Sequence, residues 1–353
     1  MIKFALLGCG RIAKRHSELL GLKQINNAKL VAVCDLVVEK AENISKKMNV
    51  PFYQNMHEMM IKEDVDVVVI LTESGNHAKH VIELAKYGKH IIVEKPMALT
   101  LEDADKMISI CENNKIKLFV IKQNRFNLPV RKLRQAVEQG RFEKIVMGTV
   151  RVRWCRKQEY YDQDAWRGTW SLDGGVLANQ ASHHIDLLEW MLGTPVSVYA
   201  IAKKALVNIE AEDTAVVVLK FANDAFGIIE ATSAIRPKDL EGSISILGSG
   251  GSVVIEGFAV NKMKTWDFTK PLEEDDDVIR EFSENPPNVY GFGHKAYYDH
   301  VVDCILNNKS QLVDGAEGRK SLELINAIYE SIETGREVFL NFKPSKSKLG
   351  RNL

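Results

Sequence analysis

The sequence predicts two domains of different class, an α/β domain followed by an α+β domain with a large open, mostly antiparallel sheet. A chain of 353 residues is long for a single hydrophobic core, so two domains are expected. The first third alternates short Val/Ile-rich runs with helical patterns, which is typical of a parallel sheet covered on both faces. The following part has strand after strand joined by short glycine-containing connections, which is typical of antiparallel pairing.

Apolar runs predict the strands of the first domain, and amphipathic stretches predict the helices between them. The strands are expected at residues 2–7, 29–34, 65–71, 90–93 and 117–121, and the helices at residues 11–22, 37–48, 76–87 and 101–113. Right-handed crossovers would connect the parallel strands. The first domain is therefore expected to cover residues 1–122.

The second domain is expected to cover residues 123–342. Its strands are predicted at residues 146–154, 196–201, 214–221, 225–232, 242–247 and 251–256, and its helices at residues 175–192, 292–306 and 316–334. The acidic run 273–277 is interpreted as a solvated loop. Residues 343–353 are basic, polar and contain Pro and Gly, which predicts a flexible tail.

The composition gives no reason to expect nucleic acid, a membrane or a metal. Lys plus Arg and Asp plus Glu both number 47, so the formal net charge is zero. The five cysteines include no C-x-x-C pair, which fits reduced thiols. The sequence has neither a transmembrane run nor a signal-peptide pattern, so a cytoplasmic location is expected.

The clearest motif is Gly8-x-Gly10-x-x-Ala13, which lies between a predicted strand and a predicted helix. Gly8 permits a tight turn, Gly10 lets main-chain amides approach a pyrophosphate, and Ala13 allows close helix–strand packing. Asp35 follows the second strand, where its carboxylate would accept hydrogen bonds from ribose hydroxyls. Leu36 supplies no cation for a 2′-phosphate. The motif therefore predicts a Rossmann domain that prefers NAD to NADP.

Lys95 follows the predicted strand 90–93, within Glu94-Lys95-Pro96. The carboxyl ends of the strands of such a sheet form the edge where ligands bind, so Lys95 is a catalytic candidate. Pro96 restricts Lys95 to extended or turn backbone and allows a cis peptide bond. Residues 72–77 follow another strand at the same edge, where His77 either caps a helix or packs on the cofactor.

His183 is the second catalytic candidate. On the predicted helix 175–192, Asn179 and His183 share a face and Asp186 is a neighbour of His183, so both groups are in positions to orient the imidazole. His184 lies about 100° away around the helix and is interpreted as structural.

These motifs together resemble the Gfo/Idh/MocA family of sugar and polyol dehydrogenases, over about residues 1–342. In that family a Rossmann domain precedes an open-sheet substrate domain. Closer matches, to the bacterial UDP-N-acetylglucosaminuronate 3-dehydrogenases, lie at residues 122–127, 158–170, 179–183, 208–213 and 240–244. Those enzymes oxidise C3 of a UDP-linked 2-acetamido sugar acid to a 3-keto product, which an aminotransferase then uses in surface polysaccharide synthesis.

The resemblance implies that Lys95, His183 and Asn179 are catalytic, with the 3-hydroxyl between Lys95 and His183 and C3 facing the nicotinamide. The predicted cofactor-binding residues are Gly8, Gly10, Arg11, Ile12, Asp35, Thr72, Ser74, His77, Glu94, Lys95, Gln123, Trp166 and Arg167. The predicted substrate-binding residues are Lys95, Arg125, Tyr160, Asn179, His183, Arg236 and Lys238. Four cations are candidate donors to a carboxylate or diphosphate, or else members of surface ion pairs: Arg125, Arg167, Arg236 and Lys238.

One position departs from the wider family, in which most members carry aspartate four residues before the catalytic histidine. This chain has Asn179 there, as the closer relatives do. The change removes a carboxylate that would raise the basicity of His183. The resemblance therefore leaves open whether His183 or Lys95 takes the proton.

Two alternative functions remain at this stage. One is the same hydride transfer on another sugar or on inositol, and the other is a non-catalytic NAD-binding regulator of the same fold. Metal-dependent or covalent catalysis has no ligand cluster or nucleophile–base pair in the sequence pattern to support it. The open sheet face favours a homo-oligomer, with a tetramer preferred by analogy with relatives.

Overall fold

The computed structural model describes residues 1–284 and 291–352, and it divides into two compact units. The first unit comprises Met1–Ile121 and His294–Arg319, and the second comprises Lys122–Gly293 and Lys320–Leu353. The sequence analysis assigned residues 294–319 to the second domain, whereas the structure groups them with the first. Local periodicity predicted the helices of this segment but carries no signal for the unit on which they pack.

The first unit is built on a six-stranded parallel sheet with strand order β3-β2-β1-β4-β5-β6. Its elements up to Ile121 are β1 (Ile2–Leu7), α1 (Ala13–Gly21), β2 (Ala28–Cys34), α2 (Val38–Met48), β3 (Phe52–Tyr53), α3 (Met56–Lys62), β4 (Val67–Ile70), α4 (His77–Ala85), β5 (His90–Val93), α5 (Leu101–Asn113) and β6 (Leu118–Val120). The central strands are buried on both faces, which explains their continuous apolar sequence. Parallel pairing brings the carboxyl ends of all six strands to one edge.

The segment 294–319 packs against β6 in this unit. The main-chain N–H of Val120 donates to the carbonyl of Val313 over 3.2 Å. A Cβ on Gly318 would lie 2.6 Å from the side chain of Val120, so a larger residue there would displace the segment.

The second unit is built on an eight-stranded sheet with strand order β13-β12-β11-β7-β10-β9-β8-β14. The remaining elements of the chain are α6 (Leu128–Glu138), β7 (Ile145–Arg153), α7 (Gln158–Tyr161), α8 (Ser182–Leu192), β8 (Pro195–Lys203), β9 (Thr214–Phe221), β10 (Phe226–Thr232), β11 (Glu241–Gly248), β12 (Gly251–Glu256), β13 (Lys262–Phe268), α9 (Asp275–Glu281), α10 (Gly293–Leu306), α11 (Gly315–Thr334) and β14 (Val338–Phe339). The β7–β10 pair is parallel and the other pairs are antiparallel, which confirms the predicted fold class.

The two faces of the eight-stranded sheet differ. On one face α8 packs so closely that a Cβ on Gly148 of β7 would lie 2.6 Å from Leu192 and 2.8 Å from Leu188. The other face presents exposed apolar side chains on neighbouring strands, with Tyr199 opposite Val218 and Ile201 opposite Val216. We call this second surface the open face.

Two predictions about the second unit are wrong. The acidic run 273–277 is not a loop throughout, because Asp275 begins α9 and its carboxylate accepts hydrogen bonds from Arg141 and from Trp266. Acidic residues are favoured in the first turn of a helix, so the run marks a helix start. The predicted flexible tail is anchored, because the main-chain N–H groups of residues 345–347 donate to the carboxylate of Glu330.

Within residues 1–284 and 291–352, none of the helices has both the length and the apolar character needed to cross a membrane.

The turn after β1 generates a prediction about stability. Gly8 has a φ of +98°, and a Cβ there would lie 2.7 Å from the main chain of Leu71. At Gly10 a Cβ would meet nothing within 4 Å. We expect Gly8→Ala to lower the free energy of unfolding by roughly 1–3 kcal/mol through backbone strain, and Gly10→Ala to leave it nearly unchanged. Urea denaturation of both variants measures this difference, and equal stabilities would contradict the described turn.

Candidate active site

The glycine loop and Asp35 form the first part of the site, at the carboxyl edge of the parallel sheet. The N–H of Gly8 donates to the carbonyl of Cys34 over 2.8 Å, which joins the loop to the end of β2. One carboxylate oxygen of Asp35 accepts from the N–H of Cys9 at 2.7 Å, and the other accepts from the N–H of Val37 at 2.8 Å. Each oxygen keeps acceptor capacity for a ribose hydroxyl. The open space at Gly10 and the fixed carboxylate of Asp35 fit an NAD molecule.

Arg11 and Ile12 occupy the turn between Gly10 and α1, where Arg11 is exposed and Ile12 is half-buried. This places both predicted cofactor contacts beside the glycine loop. At the end of β4, Ser74 is buried in a short 3₁₀ helix, and the hydroxyl of Thr72 lies 2.9 Å from Nδ1 of His80.

His77 neither caps its helix through its side chain nor exposes its ring. It is buried at the first position of α4, with Nδ1 2.8 Å from the carbonyl oxygen of Pro96 and Nε2 3.0 Å from that of Thr72. Burial lowers the pKa of His77, although the two carbonyls oppose this effect. The ring therefore connects the loop after β4 to the loop after β5, and a contact of His77 with the cofactor stays a prediction.

Lys95 is half-buried in the loop after β5, and its peptide bond to Pro96 is cis, as the sequence allowed. Its N–H donates to Oε2 of Glu94 over 2.8 Å. The Glu94 carboxylate is buried, and its Oε1 lies 3.2 Å from Nε2 of His16. The carboxylate of Glu94 therefore bonds to the protein itself, and its predicted role as a cofactor ligand stays a prediction.

In the second unit, the predicted helix 175–192 is wrong in its first part. Helix α8 begins at Ser182, and residues 175–181 form successive turns before it. Asn179 and His183 therefore do not share a helix face, because Asn179 precedes the helix and His183 is its second residue. The glycine pair at 174–175 explains the difference, since Gly174 has a φ of +84° and glycine disfavours a helix interior.

The amide of Asn179 is oriented by a residue that the sequence analysis missed. Its Nδ2 donates to Oδ1 of Asp173 over 2.6 Å, and the other oxygen of the buried Asp173 accepts from the N–H of Gly168 at 2.8 Å. Since Nδ2 faces Asp173, the identities of the two amide atoms are fixed and Oδ1 of Asn179 is the acceptor end. The pattern D-x-x-x-x-x-N gave no signal that could have found this pair.

Glu212 anchors the same turns and was also missed. Its buried Oε1 accepts from the N–H of Leu177 and from the hydroxyl of Tyr329, both over 3.0 Å, and its main-chain carbonyl accepts from the N–H of Val176 at 2.9 Å. The hydroxyl of Tyr329 also lies 3.2 Å from the N–H of Gly175. Burial raises the pKa of Glu212 to about 7, against the lowering effect of these donors.

Arg125, a predicted substrate contact, has its guanidinium in a buried ion pair. The buried guanidinium donates to both oxygens of Asp186, at 2.7 and 2.8 Å, and stacks on the ring of Trp190. Lys122 lies 3.5 Å from the same carboxylate. Burial favours the neutral acid, but the two cations lower the pKa of Asp186 to about 2. Asp186 is therefore ionised and bound by Arg125, and a substrate contact from Arg125 stays a prediction.

Two neighbouring polar residues are also buried. Gln123 lies in a 3₁₀ helix that begins the second unit. His184 packs edge-on against Trp154 with ring centroids 5.7 Å apart, and burial lowers its pKa to about 3. The structural interpretation of His184 fits this position.

Arg167 is held between two aromatic rings. Its guanidinium lies 4.5 Å from the ring centroid of Trp166 and 4.8 Å from that of Tyr160, and it donates to the Tyr160 hydroxyl over 3.0 Å. Asp164 accepts from Nε of Arg167 at 3.0 Å. The stack therefore fixes Arg167, Trp166 and Tyr160 as one group, whose guanidinium carries a positive charge.

Arg236 and Lys238 are both exposed. The guanidinium of Arg236 folds back onto main-chain carbonyls, including that of Ile235 at 2.8 Å. These two residues are accessible to an anion, although nothing in their contacts is specific for one.

The fold and the glycine loop are those of a dinucleotide-dependent oxidoreductase with a second, α/β domain. Residues 2–122 match the oxidoreductase family with an NAD-binding Rossmann fold, and residues 134–340 match the C-terminal alpha/beta domain of the same family. The chain therefore belongs to the Gfo/Idh/MocA oxidoreductase family, as its motifs predicted, and NAD is its cofactor.

Two solved structures of dehydrogenases are similar to this chain over nearly its whole length. The WlbA dehydrogenase of Bordetella pertussis, in complex with NADH and UDP-GlcNAcA, is 42% identical, with coverage of 97% of this chain and 98% of that chain and a TM-score of 0.92. The WlbA enzyme of Chromobacterium violaceum, with the same two ligands, is 41% identical, with coverage of 97% and 96% and a TM-score of 0.91. Myo-inositol 2-dehydrogenase of Thermotoga maritima is 28% identical over 96% of this chain and 98% of its own length.

Glu212 gives a prediction for stability against pH. Because its pKa is raised to about 7 from an ordinary value of 4.5, the folded state holds a proton that the unfolded state releases between these pH values. Stability contributed by this group is therefore lost as pH rises from 4.5 to 7, by about 3 kcal/mol.

Glu212→Gln keeps an acceptor for Leu177 and Tyr329 but cannot titrate. As pH rises from 4.5 to about 7, we expect the unfolding free energy of the wild-type protein to fall relative to that of Glu212→Gln. Above this range the difference between the two proteins should be constant. Urea denaturation at a series of pH values measures the difference. Parallel curves for the two proteins would show that Glu212 titrates normally.

Proposed function

We propose that this chain oxidises the C3 hydroxyl of a UDP-linked 2-acetamido sugar acid, UDP-N-acetylglucosaminuronate, to the 3-keto sugar, with NAD as hydride acceptor. The observation that carries the proposal is the similarity, at 41–42% identity over nearly the whole of both chains, to two enzymes solved with NADH and UDP-GlcNAcA. The inositol dehydrogenase similarity is weaker at comparable coverage.

The roles of the reacting residues follow from their chemistry. NAD, which the glycine loop and Asp35 would hold, would supply the acceptor for the hydride from C3. His183 takes the hydroxyl proton as the carbonyl forms, and the ammonium of Lys95 stabilises the developing negative charge on the oxygen. If Lys95 is instead the base, it must lose its own proton before it can take one from the substrate.

Asn179 is proposed to accept a hydrogen bond in this reaction through Oδ1. The contact of its Nδ2 with Asp173 leaves the carbonyl oxygen as the end that can accept from an N–H or a hydroxyl. An amide carbonyl orients a donor but carries no full charge. Asn179 would therefore position its partner without the increase in basicity that an aspartate gives.

The anionic groups of the substrate require donors, and three predicted cations remain candidates. Arg167 is pre-ordered by its two rings, while Arg236 and Lys238 are exposed. We propose Arg167 as the most specific of the three, because a stacked guanidinium loses little side-chain entropy when it binds an anion. The keto product would serve an aminotransferase in surface polysaccharide synthesis.

The test is to incubate the purified protein with UDP-N-acetylglucosaminuronate and NAD, with and without 2-oxoglutarate, and to analyse the nucleotide sugar by mass spectrometry. The 2-oxo acid allows turnover to continue if NADH stays bound. We expect a product lighter by two hydrogen atoms. Lys95→Ala and His183→Ala should each reduce the rate by about 10²–10⁴-fold, because each removes a group that acts on the reacting hydroxyl.

Lys86→Ala is the matched control, since Lys86 is an exposed lysine of the same unit. UDP-N-acetylglucosamine, which lacks the carboxylate, and myo-inositol are the control substrates. Oxidation of myo-inositol in preference to the sugar acid would contradict the proposed substrate. Near-normal activity of His183→Ala would assign the proton to Lys95.

We also propose that the open face is covered by a second copy of this chain, within a homo-oligomer. Tyr199, Ile201, Val216, Val218 and Phe226 are each 44–59% exposed on three neighbouring strands. A contiguous apolar surface of this kind favours association. The formal net charge of zero means that two copies do not repel each other through net charge. The tetramer that the sequence analysis preferred would need a second interface in addition to the open face.

Size-exclusion chromatography with light scattering tests this assembly. We expect the wild-type protein to exceed the monomer mass, and Val218→Glu to shift it to a smaller species because a carboxylate would be buried in the interface. Ile61→Glu is the control, since Ile61 is an exposed apolar residue of α3 in the first unit and does not belong to the open face. A monomeric wild type, or an unchanged mass for Val218→Glu, would contradict the proposal.

A further inference from the structure

A group of four buried side chains in the first unit lies against the main chain of Lys95. His16 comes from α1, the helix that follows the glycine loop, and Glu94 directly precedes Lys95. His294 and Tyr298 come from α10. All four are buried, with exposed fractions of 0–6%. We call them the Glu94 network.

Hydrogen bonds connect the residues of this network in one order, from Tyr298 through His16 and Glu94 to Lys95. The hydroxyl of Tyr298 lies 2.7 Å from Nδ1 of His16, and Nε2 of His16 lies 3.2 Å from Oε1 of Glu94. When Tyr298 donates to Nδ1, the proton of the neutral ring is on Nε2 and points to the carboxylate. Oε2 of Glu94 accepts from the N–H of Lys95 at 2.8 Å. The chain of contacts thus ends on the main chain of Lys95.

The carboxylate of Glu94 is the centre of the network. Burial alone would raise its pKa, but the hydrogen bond from His16 and the nearby imidazole of His294 hold that pKa well below the usual range. His294 Nε2 lies 3.9 Å from Oε1, and the ring packs edge-on against His16 with centroids 5.3 Å apart. A buried anion is costly unless the protein supplies donors, so Glu94 is held by the groups that make it stable.

The loop of Lys95 is also held from its other end. The carbonyl of Pro96 lies 2.8 Å from His77, whose ring is fixed on the main chain of Thr72. Hydrogen bonds therefore hold the segment 94–96 on both sides of Lys95. The side chain of Lys95 extends from a main chain that has little freedom to move. Reacting groups need such fixed placement, since a displacement of about 1 Å can cost a factor of about 10² in rate.

We propose that the Glu94 network is a positioning device for Lys95, and that Glu94 acts through the main chain of Lys95 and not as a ligand of the cofactor. This inference rests on the proposed catalytic role of Lys95. It also joins the start of α1, beside the dinucleotide loop, to the reacting lysine through His16 and Glu94.

The same side chains suggest a competing occupant. One ligand atom from each of His16, Glu94 and His294 lies within 4.8 Å of the others, which is a spacing that a metal ion could bridge. The sequence analysis had not anticipated this cluster, because its members are far apart in the chain. Hydrogen bonds within the protein account for the close contacts of Glu94 and His16, so positioning is the simpler assignment.

Three variants test the network, with kinetics, NAD affinity and hydrogen exchange as readouts. Glu94→Gln has one acceptor oxygen instead of two and cannot accept from both His16 and Lys95. We expect kcat for the UDP sugar to fall by about 10–10²-fold, while KM and the Kd for NAD change by less than about threefold. His16→Gln and the milder Tyr298→Phe should show the same pattern with smaller losses.

His57→Gln is the matched control, because His57 is a histidine of the same unit that bonds to Tyr87 and not to Glu94. It should leave kcat unchanged. A Kd for NAD raised more than about tenfold in Glu94→Gln, with kcat preserved, would make Glu94 a cofactor ligand and overturn the inference. A stoichiometric metal ion in the wild-type protein that is lost in His16→Gln would overturn it as well.

Hydrogen exchange keeps this test separate from the substrate assignment. The N–H of Lys95 should exchange roughly tenfold faster in Glu94→Gln and His16→Gln than in the wild type, whatever sugar the enzyme oxidises. If the wild type fails to oxidise the UDP sugar, the proposed substrate is wrong, but this exchange result still decides the network. Unchanged exchange in both variants, in folded protein, would overturn it.

Discussion

A carboxylate that is removed from water needs donors from the protein, and this requirement shapes both segments that carry the proposed catalytic residues. Glu94 is bonded to His16 and to the main chain of Lys95, and Asp173 is bonded to the amide of Asn179. Glu212 holds the turns before α8, and Asp186 pairs with Arg125. An unpaired buried charge would cost several kcal/mol, so the ionised groups depend on these contacts. The bonds from Glu94 and Glu212 to main-chain N–H groups also fix the local backbone.

Regular elements with a strong local pattern were predictable from the sequence. The strand Thr214–Phe221 and the helix Leu101–Asn113 were predicted with their observed bounds, because alternation and a capping threonine mark them. The turns at 175–181 were mistaken for helix, because their apolar residues have helical spacing and the glycine pair was read as a helix start. Long-range pairs such as His16 with Glu94 leave no local pattern, so the sequence could not show them.

Family motifs identified the cofactor and its loop, and the structure explains why those residues fit. Gly8 occupies a backbone conformation that a side chain would strain, and Asp35 is fixed at the end of β2 by two main-chain N–H groups. Motifs were less informative for Glu94, His77 and Arg125. All three carry a charge or a ring that could bind a ligand, yet each is buried in contacts with the protein. Burial and hydrogen-bond partners, which the sequence does not display, are needed to decide whether such residues hold the fold or contact a ligand.

The central claim is that hydride leaves C3 of the nucleotide sugar acid for NAD. A single-turnover reaction with UDP-N-acetylglucosaminuronate deuterated at C3 tests it most directly, with both the sugar and the nicotinamide analysed by mass spectrometry. The account predicts that the deuterium appears in the reduced nicotinamide and is absent from the keto sugar. Deuterium retained at C3 of the sugar, together with unlabelled NADH, would place the oxidation at another carbon and contradict the account.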